Sequence, residues 1–258
     1  MTAMTPRTQE NTMTSLQSLR GPVSRGAAAL LGAALLAAAP AARADDGGVN
    51  TVYVGVAYLQ AHSSLPDLSG MNTPPGLNLN VGNAATLGLG FVHDFNGHWS
   101  GELALGYPPR VRTDAMGVAW NAVGIAPGTG ITDVHLQSPT VFVNYHPFGV
   151  HHRIDPYVGL GVNYTRFTDT TALNSLQNAI GPTQIHLSDS WGAAAHVGLQ
   201  YHFDRRWSLV GSIAVADVQS DLTSTTFLRG GSSVVVMQGK THINFHPIVY
   251  TVAIGYSF

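Results

Sequence analysis

Tyr250-Thr-Val-Ala-Ile-Gly-Tyr-Ser-Phe258 closes the chain on a strict two-residue alternation. Tyr250, Val252, Ile254, Tyr256 and Phe258 are large and apolar, while Thr251, Ala253, Gly255 and Ser257 are small or weakly polar. Successive side chains of a strand point to opposite faces, so the pattern predicts a strand with one greasy face and one close-packed or wet face. Working back along the chain, seven more segments repeat it: Thr51 to Ala61, Ala84 to Phe95, His98 to Tyr107, about Leu136 to Phe148, Pro156 to Phe167, about Leu187 to Phe203, and Trp207 to about Leu222. Their bulky stripes include Val52, Val54, Val56 and Tyr58 in the first and Val158, Leu160, Val162 and Tyr164 in the fifth. The opposite side carries Gly88, Gly90, Gly159, Gly161, Asn163, Gly198, Gln200 and Gly255, too small and polar to fill a dry soluble core. The apolar stripe therefore faces lipid.

Connection lengths give the topology. Asn96-Gly97, Gly149 to Asp155 and Asp204-Arg205 make short links, whereas His62 to Asn83, Pro108 to His135 and Thr168 to His186 are long. Thr223 to Ser233, centred on Gly230-Gly231, is of middle length, and Thr171 to Ala179 is expected to hold one short helix. Long and short links alternate, as they do in an up-and-down barrel with periplasmic turns on one rim and extracellular loops on the other. The expected fold is all-β: an eight-stranded antiparallel up-and-down transmembrane β-barrel with a narrow bore. In the first long link, Leu65, Leu68, Leu77 and Leu79 either fold over the mouth as an apolar funnel or pack loop on loop.

Composition agrees. The chain is 45% hydrophobic and only 10% charged, where a soluble protein is charged at nearer a quarter of its positions. After Ala44 the sequence has no apolar run long enough for a membrane helix. Before it, Arg20 and Arg25 precede the apolar run Gly26 to Ala39, Pro40 ends that run, and Ala42-Arg43-Ala44 supplies a small-x-small cleavage pattern. Residues 1–44 are thus expected to be a signal peptide, with Met13 an alternative start, and 45–258 the barrel domain. The absence of cysteine excludes disulfides and thiolate metal sites, and a net charge of −2 gives nucleic acid no purchase. No cofactor is expected.

The run Pro156-Tyr-Val-Gly-Leu-Gly-Val-Asn-Tyr164, the motif Ser188-Asp-Ser-Trp-Gly-Ala-Ala194 followed by Val197-Gly198, and the terminal Ile254-Gly-Tyr-Ser-Phe258 resemble the OmpW family. Glu102-Leu103 and Asp217 fit the same pattern. The resemblance implies a multi-pass barrel in the bacterial outer membrane, bounded by outer-membrane lipids, with an apolar internal passage. It further implies a porin-like channel for uptake of small hydrophobic molecules, released sideways into the membrane, and no enzymatic activity. In such barrels the terminal aromatics, here Tyr256 and Phe258, form the β-signal read by the barrel-assembly machinery. The alternative is a structural outer-membrane anchor or a surface adhesin or receptor without transport, whose interior would be polar and filled.

Candidate site residues follow from register and residue type. Trp191 lines the passage if a bulge near Gly192 turns it inward; otherwise its parity with Val197 and Leu199 makes it an interfacial aromatic, as Trp99 and Trp207 are expected to be. Glu102 and Ala104 share the lumen register of the third strand, Glu102 as part of a polar plug and Ala104 as a position that leaves space. Pro108, Pro109 and Pro139 lie on adjacent strands and lack the N–H that a ladder needs, which gives two readings. They form a lateral portal, or they lie above the bilayer and merely start and stop a loop. His93, His98, His146, His151, His152 and His202 gather near the expected periplasmic rim without ligand spacing, so no metal is expected there. His186, Ser188, Asp189 and Ser190 cluster in sequence but show no triad or nucleophile spacing.

Overall fold

The computed structural model describes residues 49–258 apart from His151 and Ser232; the expected signal peptide lies outside the described residues. The strands are β1 (Asn50–Gln60), β2 (Ser63–Ser64), β3 (Asn78–Val81), β4 (Ala84–Asp94), β5 (Trp99–Gly106), β6 (Arg110–Met116), β7 (Gly130–Gln137), β8 (Thr140–Tyr145), β9 (Ile154–Ala172), β10 (Thr183–Leu187), β11 (Ser190–His202), β12 (Trp207–Ala216), β13 (Val218–Phe227), β14 (Val235–Phe245) and β15 (Ile248–Ser257). Among the described residues, β1, β4, β5, β8, β9, β11, β12 and β15 close into an antiparallel eight-stranded barrel, with the β9–β11 pairing completing the ring.

The barrel wall is inverted relative to a soluble protein. Val54, Val56, Leu87, Val141, Val143, Leu160 and Val252 stand exposed on the outside, while Glu102, Asn144, Asp155, Asn163 and His196 are buried inside. β1 and β4 have 11 residues each and β12 and β15 have 10, the length that a tilted strand needs to cross the hydrocarbon. Aromatics girdle both rims. Trp99 packs on Tyr145 and Trp207 on Tyr256 at the short-turn side. On the loop side Tyr58 pairs with Tyr250 and Tyr164 with Trp191. Such belts sit at the two lipid–water interfaces. The short turns are built alike: Asn96 Oδ1 accepts the N–H groups of His98 and Trp99, and Asp204 Oδ1 accepts those of Arg206 and Trp207.

The long links are not loops, and here the sequence-based expectation is corrected. Above the barrel the chain forms a crown of two sheets, β9–β7–β6–β3 and β10–β13–β14–β2. The expected fourth strand is split into β7 and β8 at Ser138-Pro139, and the link from Pro108 to His135 contains all of β6. The expected short helix is present at Asn174–Ile180, and a 3-10 helix spans Val118–Val123. In the crown the pattern returns to the soluble one, because water surrounds it. Val111, Val134, Leu136, Leu222 and Ile243 form an apolar core together with Leu68, Leu77, Leu79, Trp120 and Leu176. Arg110, Arg112 and Lys240 stand exposed on its outer faces. The leucines of the first long link therefore belong to the crown core.

Candidate functional site

The lower bore is plugged. Glu102, 5% exposed, accepts hydrogen bonds from the Tyr53 hydroxyl and, at 2.9 Å, from Asn144 Nδ2. Asn144 Oδ1 bonds His196 Nε2 at 2.7 Å, and the His196 ring stacks on Phe142 with centroids 3.9 Å apart. Nearer the periplasm, Ser100 Oγ bonds His146 Nε2 at 2.9 Å, and His146 Nδ1 bonds Asp155 Oδ2 at 2.8 Å. Tyr157 lies between the two histidines, 5.5 and 5.3 Å from their rings. Glycines on facing strands make the room. A Cβ on Gly90 would fall 1.8 Å from the Tyr53 ring, one on Gly198 2.2 Å from Tyr157, and one on Gly159 2.2 Å from Asn144. Polar groups in a low-dielectric bore need partners, and most of these find one by reaching across it, with Asp155 Oδ1 left unpartnered.

Above the plug the wall side chains shrink. Ala57, Gly88, Ala104, Thr140, Asn163, Ala194, Ala214 and Thr251, one from each of the eight strands, surround a chamber of about 150 Å³. Its floor is Tyr53, Glu102, Phe142 and His196, and its roof is Leu136, Val218 and Phe245. Those three roof residues also border a second cavity of about 50 Å³ between the two crown sheets. Leu79, Thr132 and Leu222 in turn join the second cavity to a third of about 40 Å³ beneath Trp120 and Leu176. The three form an apolar line from the extracellular end down to the plug.

The wall is interrupted beside the chamber. The β5–β8 ladder ends at Ala104 and Thr140, and the β6–β7 ladder resumes at Arg110 and His135. Between them the five residues Leu105 to Pro109 face the four residues Leu136 to Pro139, joined by one bond from Leu136 N–H to Pro109 C=O at 3.1 Å. The outer neighbours still hold: Tyr107 N–H donates to Leu87 C=O and Tyr164 N–H to Pro139 C=O. On the opposite wall, where β12 and β15 pass into β13 and β14, Ala216 and Asp217 face His246 and Pro247, and the register runs through unbroken. Leu105, Gly106, Pro109, Ser138 and Thr140 border both the break and the chamber. A Cβ on Gly106 would meet Thr86 at 3.7 Å and Leu87 O at 3.8 Å, ordinary contacts, so a side chain can start there without a clash.

A family model described as the OmpW family matches residues 48–258. The chain belongs to the OmpW family. It is 30% identical over 178 residues to outer membrane protein W of Salmonella typhimurium, covering 69% of this chain and 75% of that protein. It is 23% identical over 192 residues to the dibenzothiophene metabolism operon protein PahQ of Pseudomonas aeruginosa, covering 74% and 79%. The crystal structure of the outer membrane protein OprG from Pseudomonas aeruginosa superposes with a TM-score of 0.71 at 25% identity, covering 82% of this chain and 96% of that one. OmpW membership makes the protein a bacterial outer-membrane β-barrel embedded in lipid, and not an enzyme.

Within this OmpW-family barrel the sequence-predicted residues separate. Glu102 and Ala104 face the interior, in the plug and the chamber wall. Trp191 does not. It is 73% exposed on the outer surface and packs on Tyr164, with centroids 4.7 Å apart. The bulge that would turn it inward is absent: pairing runs unbroken from Ser190 to Tyr201, and the backbone of Asp217 lies against Gly192. Pro108, Pro109 and Pro139 lie at the break, and the strands resume beyond it, so they do not end a loop. Tyr256 faces outward beside Trp207, and Phe258 N–H bonds Asn50 C=O at 2.8 Å.

Of the six rim histidines, His146 is buried in the plug rather than at the interface, and His151 lies outside the described residues. Among the described residues no three His, Asp or Glu side chains converge as a metal site. Ser188 and Ser190 stitch the β10–β11 junction to β13, their hydroxyls accepting from Asp221 and Gln219 N–H, and Asp189 accepts from the Tyr164 hydroxyl. Reading the sequence missed Tyr53, Asn144, Asp155 and His196 as plug residues. Their signal was available: each is a large inward side chain, three of them beside an inward glycine on a neighbouring strand.

Proposed function

We propose that this barrel takes up small hydrophobic molecules from the cell exterior and releases them sideways into the membrane. The observation that carries the reading is the break at Leu105–Pro109, which opens the wall beside an apolar chamber whose floor is a hydrogen-bonded polar plug. A guest reaching the chamber meets charge and hydrogen-bonded polar groups below and hydrocarbon beside it. Lateral departure is the cheaper path, because leaving apolar surroundings for a polar bore forfeits ~25 cal/mol per Å² of buried apolar surface. Unpaired backbone in lipid costs several kcal/mol per group unless something covers it. A break at the level of the outer aromatic belt, edged by prolines that have no N–H to leave unsatisfied, keeps that cost small.

In this reading Ala104 lines the passage, Glu102 closes it, and Pro108, Pro109 and Pro139 frame the exit. Tyr256 and Phe258 present the terminal strand to the barrel-assembly machinery. The relative from a dibenzothiophene metabolism operon supports an apolar cargo. The test is uptake of a radiolabelled apolar compound by cells carrying the protein, compared with cells lacking it. Gly106→Leu fills the exit without a backbone clash, and Pro109→Val restores one donor on the edge where Pro109 C=O accepts from Leu136 N–H. Both are expected to lower uptake severalfold at unchanged barrel content. Equal uptake with and without the protein would remove transport as its role and leave an anchor or adhesin.

A further inference from the structure

We infer that the chamber is a binding site for a single unfused aromatic ring, a benzene- or toluene-sized molecule, and not a conduit fitted to extended chains. The inference rests on the uptake reading and names the class of cargo. Four observations carry it. First, the chamber measures about 150 Å³, the size of a dry cavity that binds benzene in an engineered protein. Second, the space above it is small. The cavities above it hold only about 50 and 40 Å³, so an eight-carbon chain lying across the roof must hold Leu136, Val218 and Phe245 apart along its whole length. A ring displaces them only while passing.

Third, rings meet a ring from both ends. The stacked Phe142 and His196 pair forms part of the floor and Phe245 part of the roof, and aromatic faces and edges favour one another over aliphatic contact. Fourth, several of the hydroxyls that line the chamber are already engaged. Thr86 donates to Tyr107 C=O, Asn163 Nδ2 donates to the Thr140 hydroxyl at 2.8 Å, and Ser138 and Thr165 share a bond of 2.9 Å. What these residues offer a guest is methyl and methylene surface, which suits a hydrocarbon ring and gives no anchor to a polar one.

The test uses crystals of the barrel soaked in iodobenzene or in 1-iodooctane, with the iodine located by its anomalous signal. Iodobenzene is expected inside the chamber. Ala104→Leu and Ala214→Leu, which fill it from two different strands, are each expected to abolish that peak, so one poorly folding variant does not decide the matter. 1-Iodooctane is expected to leave the chamber empty. In cells, toluene uptake through the protein is expected to exceed that of n-octane by on the order of tenfold, the discrimination that one misfitting methylene produces in an apolar pocket. Iodooctane in the chamber, or iodobenzene found only on the lipid-facing wall, would overturn the ring assignment. Protein-dependent uptake of n-octane at the toluene rate would overturn it too while leaving transport standing; no protein-dependent uptake of either would remove transport itself.

Discussion

The barrel and the crown are both built from alternating strands, and the alternation reads in opposite directions. In the barrel Val143 and Leu160 face out and Glu102 and His196 face in; in the crown Arg112 and Lys240 face out and Leu136 and Leu222 face in. The difference is the solvent. Hydrocarbon surrounds the first and water the second, so the same alternation places its apolar half outside below the outer belt and inside above it. The chamber lies where the two patterns meet, and it is apolar because the crown core reaches down to it through Leu136, Val218 and Phe245.

The comparison breaks if the crown is not a folded unit with its own core. Trp120 is buried there and its Nε1 donates to Asn78 C=O at 2.7 Å. Trp120→Ala is expected to cost the crown about 3–5 kcal/mol, read as faster amide exchange in β3, β6 and β7 with β1 and β15 unchanged. Exchange rising equally in both regions would show one cooperative body. Solvent inversion predicts the next effect. Leu160→Arg on the barrel exterior should cost roughly 2–4 kcal/mol in equilibrium refolding into lipid vesicles. His242→Arg on the crown exterior should stay within about 0.5 kcal/mol.

The plug gives a smaller effect. Glu102→Leu leaves the Tyr53 hydroxyl and Asn144 amide without their acceptor and should destabilise the barrel by about 1–3 kcal/mol in thermal unfolding, with the crown cavities unaltered. The smallest effect concerns two of the periplasmic turns. The Arg206 and Trp207 amides beside Asp204 hold its carboxyl below the usual carboxylate range. A depressed acid keeps its bonds above that range and loses them as pH falls through the lowered value. Titration below about pH 4 should therefore shift the Arg206 and Trp207 amide resonances, while the His98 and Trp99 amides, held by the uncharged Asn96, stay put.

Much of the lower half was legible in the sequence, and much of the upper half was not, for a physical reason. Alternation against lipid is unambiguous: Val52 to Tyr58 and Tyr250 to Phe258 have only one satisfactory way to face. In the crown, polar spacers such as Arg110, Arg112 and Asp114 around Val111 and Thr113 look like a hydrophilic loop, because a small apolar core needs few large side chains per strand. Parity alone places Glu102 and Ala104 on the interior. It does not decide Trp191, because a bulge changes parity and involves the partner strand as well as the residue itself. The plug escaped notice because its members are joined across the bore, by contacts no single strand contains.

The interruption beside the chamber is a matter of counting. Five residues face four, and the inward positions shift from even numbers (Glu102, Ala104) to odd ones (Val111, Thr113) across it, while the facing strand keeps Leu136 and Thr140 in step. Loss of a single codon between Leu105 and Pro109 would bring both edges back into phase and let the wall zip closed. An opening of this kind is inherited as an insertion, so it can appear or vanish in one genetic event with no change to the fold around it.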